Sequence, residues 1–349
     1  MTPHILVLGA NGFVGSHFVE QALQLGWNVD GAKRESSHIQ AFEDIKSYYS
    51  PQSNSDIDIL SKLKANLTEY ADKGPFYNQT ASNKKGQFKW INIDLNDTVE
   101  LVSTFKFPYD YIVNTAAMIS FNTSQDDIMI ETNTQIAKNL VNACIEAKCE
   151  RLVHFSSIAA LGRPENDEEI SIDTMWTDSN FNTPYALSKY LSEMEIWRGA
   201  HEGLNVLVVN PGVIMGYSTC KTSSTQIIQA ANSANPFVPN GSNGFIFVED
   251  LVLRTINLMV STDTWQRRHL MVSHNISFRK MFQIINETYG VKRLKTPLKQ
   301  PVYSLVFCVV AFLQFFKIPL PLSTHLLKST RKMSRYKNEI GATQSRKMA

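Results

Sequence analysis

Three glycines constrain this chain more than any other feature. Gly9, Gly12 and Gly15 follow directly on a short apolar run, Ile5-Leu-Val-Leu8, at Gly-x-x-Gly-x-x-Gly spacing. Phe18, Val19, Ala22 and Leu23 then recur at helical spacing as far as Gly26, and Trp27 to Ala32 returns to strand character. A strand, a tight turn, a helix and a second strand form a crossover unit, which implies a parallel sheet. The first glycine permits the turn, the second lets backbone approach a pyrophosphate, and the third lets the helix pack against the sheet. The helix N-terminus adds a positive dipole end. The spacing differs from Gly-x-Gly-x-x-Gly, and a merely glycine-rich turn is the bland alternative. The β-α-β context favours a dinucleotide site, with Gly9, Asn11, Gly12, Phe13, Val14 and Gly15 as its phosphate loop.

The alternation continues along the chain. Strands are expected at Phe88–Ile93, Tyr111–Asn114, Arg151–Phe155 and Val206–Val209, with helices at Thr98–Phe105, Ser124–Lys148 and Thr183–Glu202. Residues 35–86 are Ser/Asn/Lys-rich, with a weak helical stretch near Leu60–Tyr70, and read as an insertion over one sheet edge. After Pro211 the strict alternation breaks down. The expectation is an α/β protein, a doubly wound parallel Rossmann sheet in residues 1–212, with a smaller, less regular C-terminal substrate lobe in residues 213–349. Hydrophobic content of 43% with 19% charged residues excludes a disordered chain.

The end of the second strand bears on cofactor choice. An acid there accepts from a ribose hydroxyl, whereas a base accommodates a 2′-phosphate. The sequence gives Lys33-Arg34-Glu35, so NADP(H) is favoured through Arg34 while Glu35 keeps NAD(H) open. Asp94-Leu95 ends the third strand, where an acceptor can read an adenine amino group or cap the next helix. The chemistry is expected at Tyr185-Ala-Leu-Ser-Lys189. Positions i and i+4 share a helix face, and a nearby cation favours the phenolate, making Tyr185 a usable proton donor or acceptor. A Tyr-x-x-x-Lys pair alone is common. Its value comes from Ser156-Ser157 at the carboxyl end of a strand, where Ser157 can donate to a developing alkoxide.

Together these residues resemble the extended short-chain dehydrogenase/reductase family, the NAD-dependent epimerase/dehydratase superfamily. The matching features are the glycine triplet, Asp94-Leu95, Asn114-Thr-Ala-Ala117, Ser156-Ser157 and Tyr185-x-x-x-Lys189, in that order over the first 215 residues or so. The resemblance implies that Tyr185 is the catalytic acid/base, that Ser157 polarises the carbonyl, and that Lys189 lowers the phenol pKa and holds the nicotinamide ribose. It also implies cofactor contacts at Thr115, Ala116 and Ala117, at the helix residue Asn133, and along Pro211 to Val213. Leu161-Gly162 and Asn210-Pro-Gly212 stand where nucleotide-sugar epimerases tend to show Tyr-Gly and Arg-Pro. The chain looks more like the dihydroflavonol-reductase and 3β-hydroxysteroid-dehydrogenase branch. The expected function is an NAD(P)-dependent oxidoreductase interconverting a carbonyl and a secondary alcohol on a moderately apolar small molecule. The alternatives are an NAD-dependent nucleotide-sugar epimerase or dehydratase, and a cofactor-binding regulatory protein without turnover. Leu8, where a Thr or Ser is usual, and the long insertion depart from the pattern.

The other chemistries find little support. The eight histidines show no His-Glu-x-x-His spacing and Cys144/Cys149 lack partner ligands, so no metal site is expected. His154, mid-strand, reads as a core residue. No charged and apolar leader precedes Ile5, so the chain is expected to be cytoplasmic. Charge is unevenly spread: residues 291–349 carry a net +11 and the rest a net −9. That basic region encloses the uncharged stretch Gln300–Phe316, at the lower length limit of a spanning helix. No nucleic-acid module accompanies it, so nucleic acid is not an expected partner. Two readings compete. One docks residues 291–349 peripherally on an anionic membrane surface, with Val302–Phe316 as an interfacial segment; the other buries the helix and leaves a solvated basic tail.

Overall fold

The computed structural model describes residues 2–49, 55–68, 84–120, 122–165, 168–218, 223–293, 295–297, 299–315 and 324–337. The first crossover forms as its pattern requires: β1 (His4–Leu8), α1 (Phe13–Gln24) and β2 (Asn28–Lys33). Two helices follow, α2 (Gln40–Tyr48) and α3 (Ser55–Thr68). Then come β3 (Phe88–Asn92), α4 (Thr98–Phe105), β4 (Tyr111–Asn114), α5 (Asp126–Glu146), β5 (Arg151–Phe155), α6 (Pro184–His201) and β6 (Asn205–Pro211). The remainder runs β7 (Val213–Met215), α7 (Ser223–Asn232), β8 (Phe237–Val238), β9 (Ser242–Phe247), α8 (Val248–Val260), β10 (Arg267–Met271) and β11 (His274–Ser277). It ends with α9 (Phe278–Thr288), β12 (Thr296–Pro297), α10 (Gln300–Phe315) and α11 (Thr324–Arg331).

Seven strands in the order β10-β6-β5-β4-β1-β2-β3 make one sheet, parallel at every pairing. The central strands β1, β4, β5 and β6 are largely apolar on both faces because both are covered. Ile5, Val7, Val113, Val153 and Val209 pack towards α1 and α8, whereas Leu6, Leu8, Ile112, Leu152 and Val208 pack towards α4, α5 and α6. Chain order reverses between β1 and β4, and the crevice at their carboxyl ends is the topological switch point. The lobe holds a three-stranded sheet, β11-β9-β7, and the pair β12-β8.

Beyond residue 212, α8 packs on α1 and β10 joins the main sheet beside β6, register Arg267↔Leu207. The insertion is more than an edge cover. Phe42 of α2 stacks on Phe88 at the β3 edge, but Leu60, Leu63 and Leu67 of α3 enter the lobe core with Phe282 and Ile285. Nor are residues 329–337 a solvated segment. Tyr336 is 1% exposed among Ile158, Leu161, Ile170 and Val272, and Ile170 exchanges backbone hydrogen bonds with Arg335 and Lys337. An apolar ring carries this strap into the core in spite of its charges.

Candidate active site

The glycine loop leaves β1 with Gly9 at φ +77, a conformation that favours glycine. Thr115 pins the loop from the neighbouring strand, its hydroxyl donating to the Leu8 carbonyl at 2.8 Å and its N–H to the same oxygen at 3.0 Å. Ala116 sits so close that a Cβ on Gly9 would lie 2.9 Å from its backbone. At Gly12 the surroundings differ, since an added Cβ would meet only the Gly9 carbonyl oxygen, at 3.2 Å. Gly12 also caps α1 without a side-chain hydrogen bond, and no acid occupies the first turn. The amides at Phe13, Val14 and Gly15 thus head a helix end open to an anion. This cradle fits a dinucleotide pyrophosphate. Asn11 ties the loop to the next segment by donating to the His38 carbonyl at 3.2 Å.

At the β2 end, Arg34 is exposed and its carbonyl accepts from Ser37 N–H at 3.0 Å, while Lys33 donates to Asn92 Oδ1 at 3.0 Å. The cap of α4 is Asp97, whose Oδ1 accepts from Val99 and Glu100, and not Asp94. Asp94 instead forms a local turn, accepting from Asn96 N–H at 3.0 Å, with Leu95 packed beside it on the α4–α5 side. Asn133 lies beneath the loop that follows Ala117. Its amide accepts from Met118 N–H at 2.7 Å and donates to the Met118 carbonyl at 2.9 Å, so its polar groups hold the loop. Pro211 ends β6 and half-buried Val213 opens β7, with Gly212 N–H donating to the Met271 carbonyl between them.

Ser157, Tyr185 and Lys189 converge at the carboxyl end of β5. Ser157 follows the strand and caps the short 3-10 turn Ile158–Leu161, accepting from Ala159 N–H at 3.1 Å. Thr183 caps α6, accepting from Ala186 N–H, and Pro184 fixes its first turn, which sets Tyr185 at the helix start. Burial pushes the Tyr185 phenol above its ordinary 10.0, and the facing Ser157 hydroxyl pulls the other way. Lys189 is 3% exposed and donates to the Phe155 carbonyl at 2.8 Å. Burial lowers its pKa to about 8, opposed by the charge of Glu193. In this arrangement burial and Ser157 act on the phenol, while the Lys189 amine is held at the Phe155 carbonyl. A buried ammonium needs an acceptor, and the amine has turned to a main-chain carbonyl. His154 is indeed a core residue, 2% exposed with Nδ1 on the Asn114 amide at 3.1 Å, and burial keeps it neutral. Sequence reasoning missed Glu193 and Asn210, which lie beneath the serine pair; the i+4 spacing of Glu193 from Lys189 was the available signal.

A model of the NAD dependent epimerase/dehydratase family matches residues 5–267. Cinnamoyl-CoA reductase 1 of Petunia hybrida is 24% identical over 300 residues, 82% of this chain and 77% of that protein. Tetraketide alpha-pyrone reductase 1 of Arabidopsis thaliana is 23% identical over 303 residues, 82% of this chain and 81% of that protein. Among solved structures, gox2253 superposes with a TM-score of 0.70 at 21% identity, covering 97% of this chain and 91% of that one. The Bordetella bronchiseptica enzyme WbmG in complex with NAD gives 0.62 at 17% identity, covering 86% and 82%. At such identities the structures speak for the fold alone.

Proposed function

Because the chain belongs to the NAD dependent epimerase/dehydratase family and is an NAD(P)-dependent oxidoreductase of the extended short-chain type, we propose that it reduces a carbonyl, reversibly, on a moderately apolar small molecule, with NADPH as the favoured cofactor. The observation that carries this reading is the meeting of Ser157, Tyr185 and Lys189 at the carboxyl end of β5, the strand beside β4. The similarity to reductases of cinnamoyl-CoA and of tetraketide pyrones supports the reductive direction. When bound, the dinucleotide supplies hydride chemistry, and Gly9 to Gly15 with Arg34 would hold its phosphates. The chain supplies the proton. A phenol raised by burial is protonated near neutrality, so Tyr185 can give its proton to the forming alkoxide while Ser157 donates a hydrogen bond to the same oxygen. Lys189, about 8, is mostly an ammonium at pH 7, suited to stabilise the phenolate left behind and to hold a ribose hydroxyl.

Tyr185→Phe tests the assignment. Turnover should fall by about 10²- to 10⁴-fold with NADPH binding retained. Activity at the wild-type rate overturns it. Dinucleotide that survives dialysis, with no NADPH consumed by ketones or aldehydes, favours an epimerase instead.

A second element of the proposal concerns where the enzyme acts. Among the described residues no helix is long and apolar enough to cross a membrane. Yet α10 turns Val302, Leu305, Val309 and Phe312 outward on one face, Leu305 65% and Phe312 63% exposed, with Lys299 and Lys328 nearby in the chain and fold. An apolar stripe bordered by cations suits the headgroup layer of an anionic membrane. Flotation with phosphatidylserine vesicles should be lost in Leu305→Asp/Phe312→Asp while the melting temperature holds. Wild-type protein that never floats overturns this element.

A further inference from the structure

Glu193 is fully buried, one helical turn beyond Lys189 on α6. Its Oε2 accepts from the Ser156 hydroxyl at 2.6 Å and from Asn210 Nδ2 at 2.9 Å. Its Oε1 accepts from Trp197 Nε1 at 3.1 Å and from Arg268 Nε. Each carboxylate oxygen therefore holds two donors, drawn from the end of β5, from β6, from β10 and from α6 itself. Asn210 sends its remaining amide proton to the Ser157 carbonyl at 3.0 Å. Arg268 reaches onward to the Ile172 carbonyl at 3.3 Å, in the segment between Ser157 and Tyr185.

A buried ion pair is a poor device for stability alone, since apolar residues of similar volume often serve as well or better. Directionality and charge are what an apolar residue lacks. Here the directed bonds converge on the backbone that carries Ser157, and the charge lies beside Lys189. The other titratable groups around that amine are Tyr185 on the same helix and His154 on β5, both neutral through burial. Arg268 of β10 opposes Glu193 from its far side.

We propose that Glu193 is a positioning residue for the reaction, fixing the Ser157 backbone through Ser156 and Asn210 and setting a negative charge one turn from the Lys189 amine. The proposal rests on the reading of Ser157, Tyr185 and Lys189 as the catalytic set. The charge of Glu193 opposes the burial that lowers Lys189, so removing it lets the amine lose its proton at lower pH. Glu193→Gln in the full chain should cut kcat by about 10- to 100-fold with KM nearly unchanged, the scale expected for slight misplacement of a reacting group. The alkaline limb of kcat should move down by about one pH unit, and so should the limb of NADPH affinity, read by nicotinamide fluorescence. Glu193→Asp, which keeps the charge, should leave both limbs near the wild-type pH. A purely structural role would lower the melting temperature and leave the limbs in place. An unchanged kcat, or a binding limb at the wild-type pH, overturns the proposal. If wild-type protein turns over no carbonyl, the catalytic reading fails by itself, and the binding limb still decides on Glu193. Should Glu193→Gln not fold, Ser156→Ala removes one donor and spares the charge; kcat should fall about 3- to 10-fold with the limb unmoved. An unchanged kcat in that variant overturns the link to Ser157.

Discussion

A Cβ added at Gly15 would sit 2.2 Å from the Gly9 carbonyl oxygen and 2.8 Å from the Thr115 hydroxyl, whereas at Gly12 the same atom faces open space beyond one oxygen. The two glycines are equivalent letters in the motif and unequal in the fold. Gly15→Ala should fail to accumulate as folded protein. Gly12→Ala should melt near the wild-type temperature and lose dinucleotide affinity, a contrast that thermal denaturation and nicotinamide fluorescence would read together. Arg34→Ala should weaken NADPH by about 10- to 100-fold, the scale of hydrogen bonds to a charged group, and leave NADH nearly unchanged. Equal losses for both would remove the 2′-phosphate role. At this scale the sequence was legible where a residue type is forced by backbone geometry, as at Gly9 with its positive φ. It was opaque where near neighbours compete for one task. Asp94 and Asp97 are both fit to cap α4, and only backbone geometry gives the task to Asp97.

The strap from Ser329 to Lys337 shows the same limit among elements. Its composition is basic, yet Lys332 donates to the Glu165 carbonyl at 2.9 Å, Arg163 reaches back to Ser329, and Tyr336 fills the core beside Leu161. Tyr336→Ala should cost about 3–5 kcal/mol of stability, the range for emptying a large buried aromatic site. Urea denaturation would measure it, and a cost below about 1 kcal/mol would mean that the strap is not core. Parallel strands were readable because continuous apolar runs such as Val206–Val209 admit little else. By contrast β10, Arg-Arg-His-Leu-Met, is an edge strand with one half-polar side, so its return to the main sheet left no apolar signature. The α3 helix was visible only weakly, because its apolar positions meet α9 across the chain and not a neighbour in sequence.

For the molecule as a whole, buried titratable groups set the pH range of stability. Burial lowers His17, His154 and His269 below their ordinary 6.5. The unfolded chain therefore takes up protons that the folded one refuses, and stability should fall as pH drops below about 6.5. Lys189 acts in the opposite range. Between about 8 and 10.5 the unfolded chain still holds that proton and the folded chain does not, so this group adds stability as pH rises. Tyr49 and Tyr111, raised above 10.0 by burial, reverse the trend beyond about pH 10. Melting temperatures should peak between about pH 8 and 10, and Lys189→Met should flatten the rise on the alkaline side. The strap has one more consequence, which concerns time. A ribosome delivers Ser157 and Tyr185 long before Tyr336, although Tyr336 closes the core under the segment joining them. Nascent chains of this protein should gain dinucleotide binding, which needs only the earlier strands, well before they gain turnover.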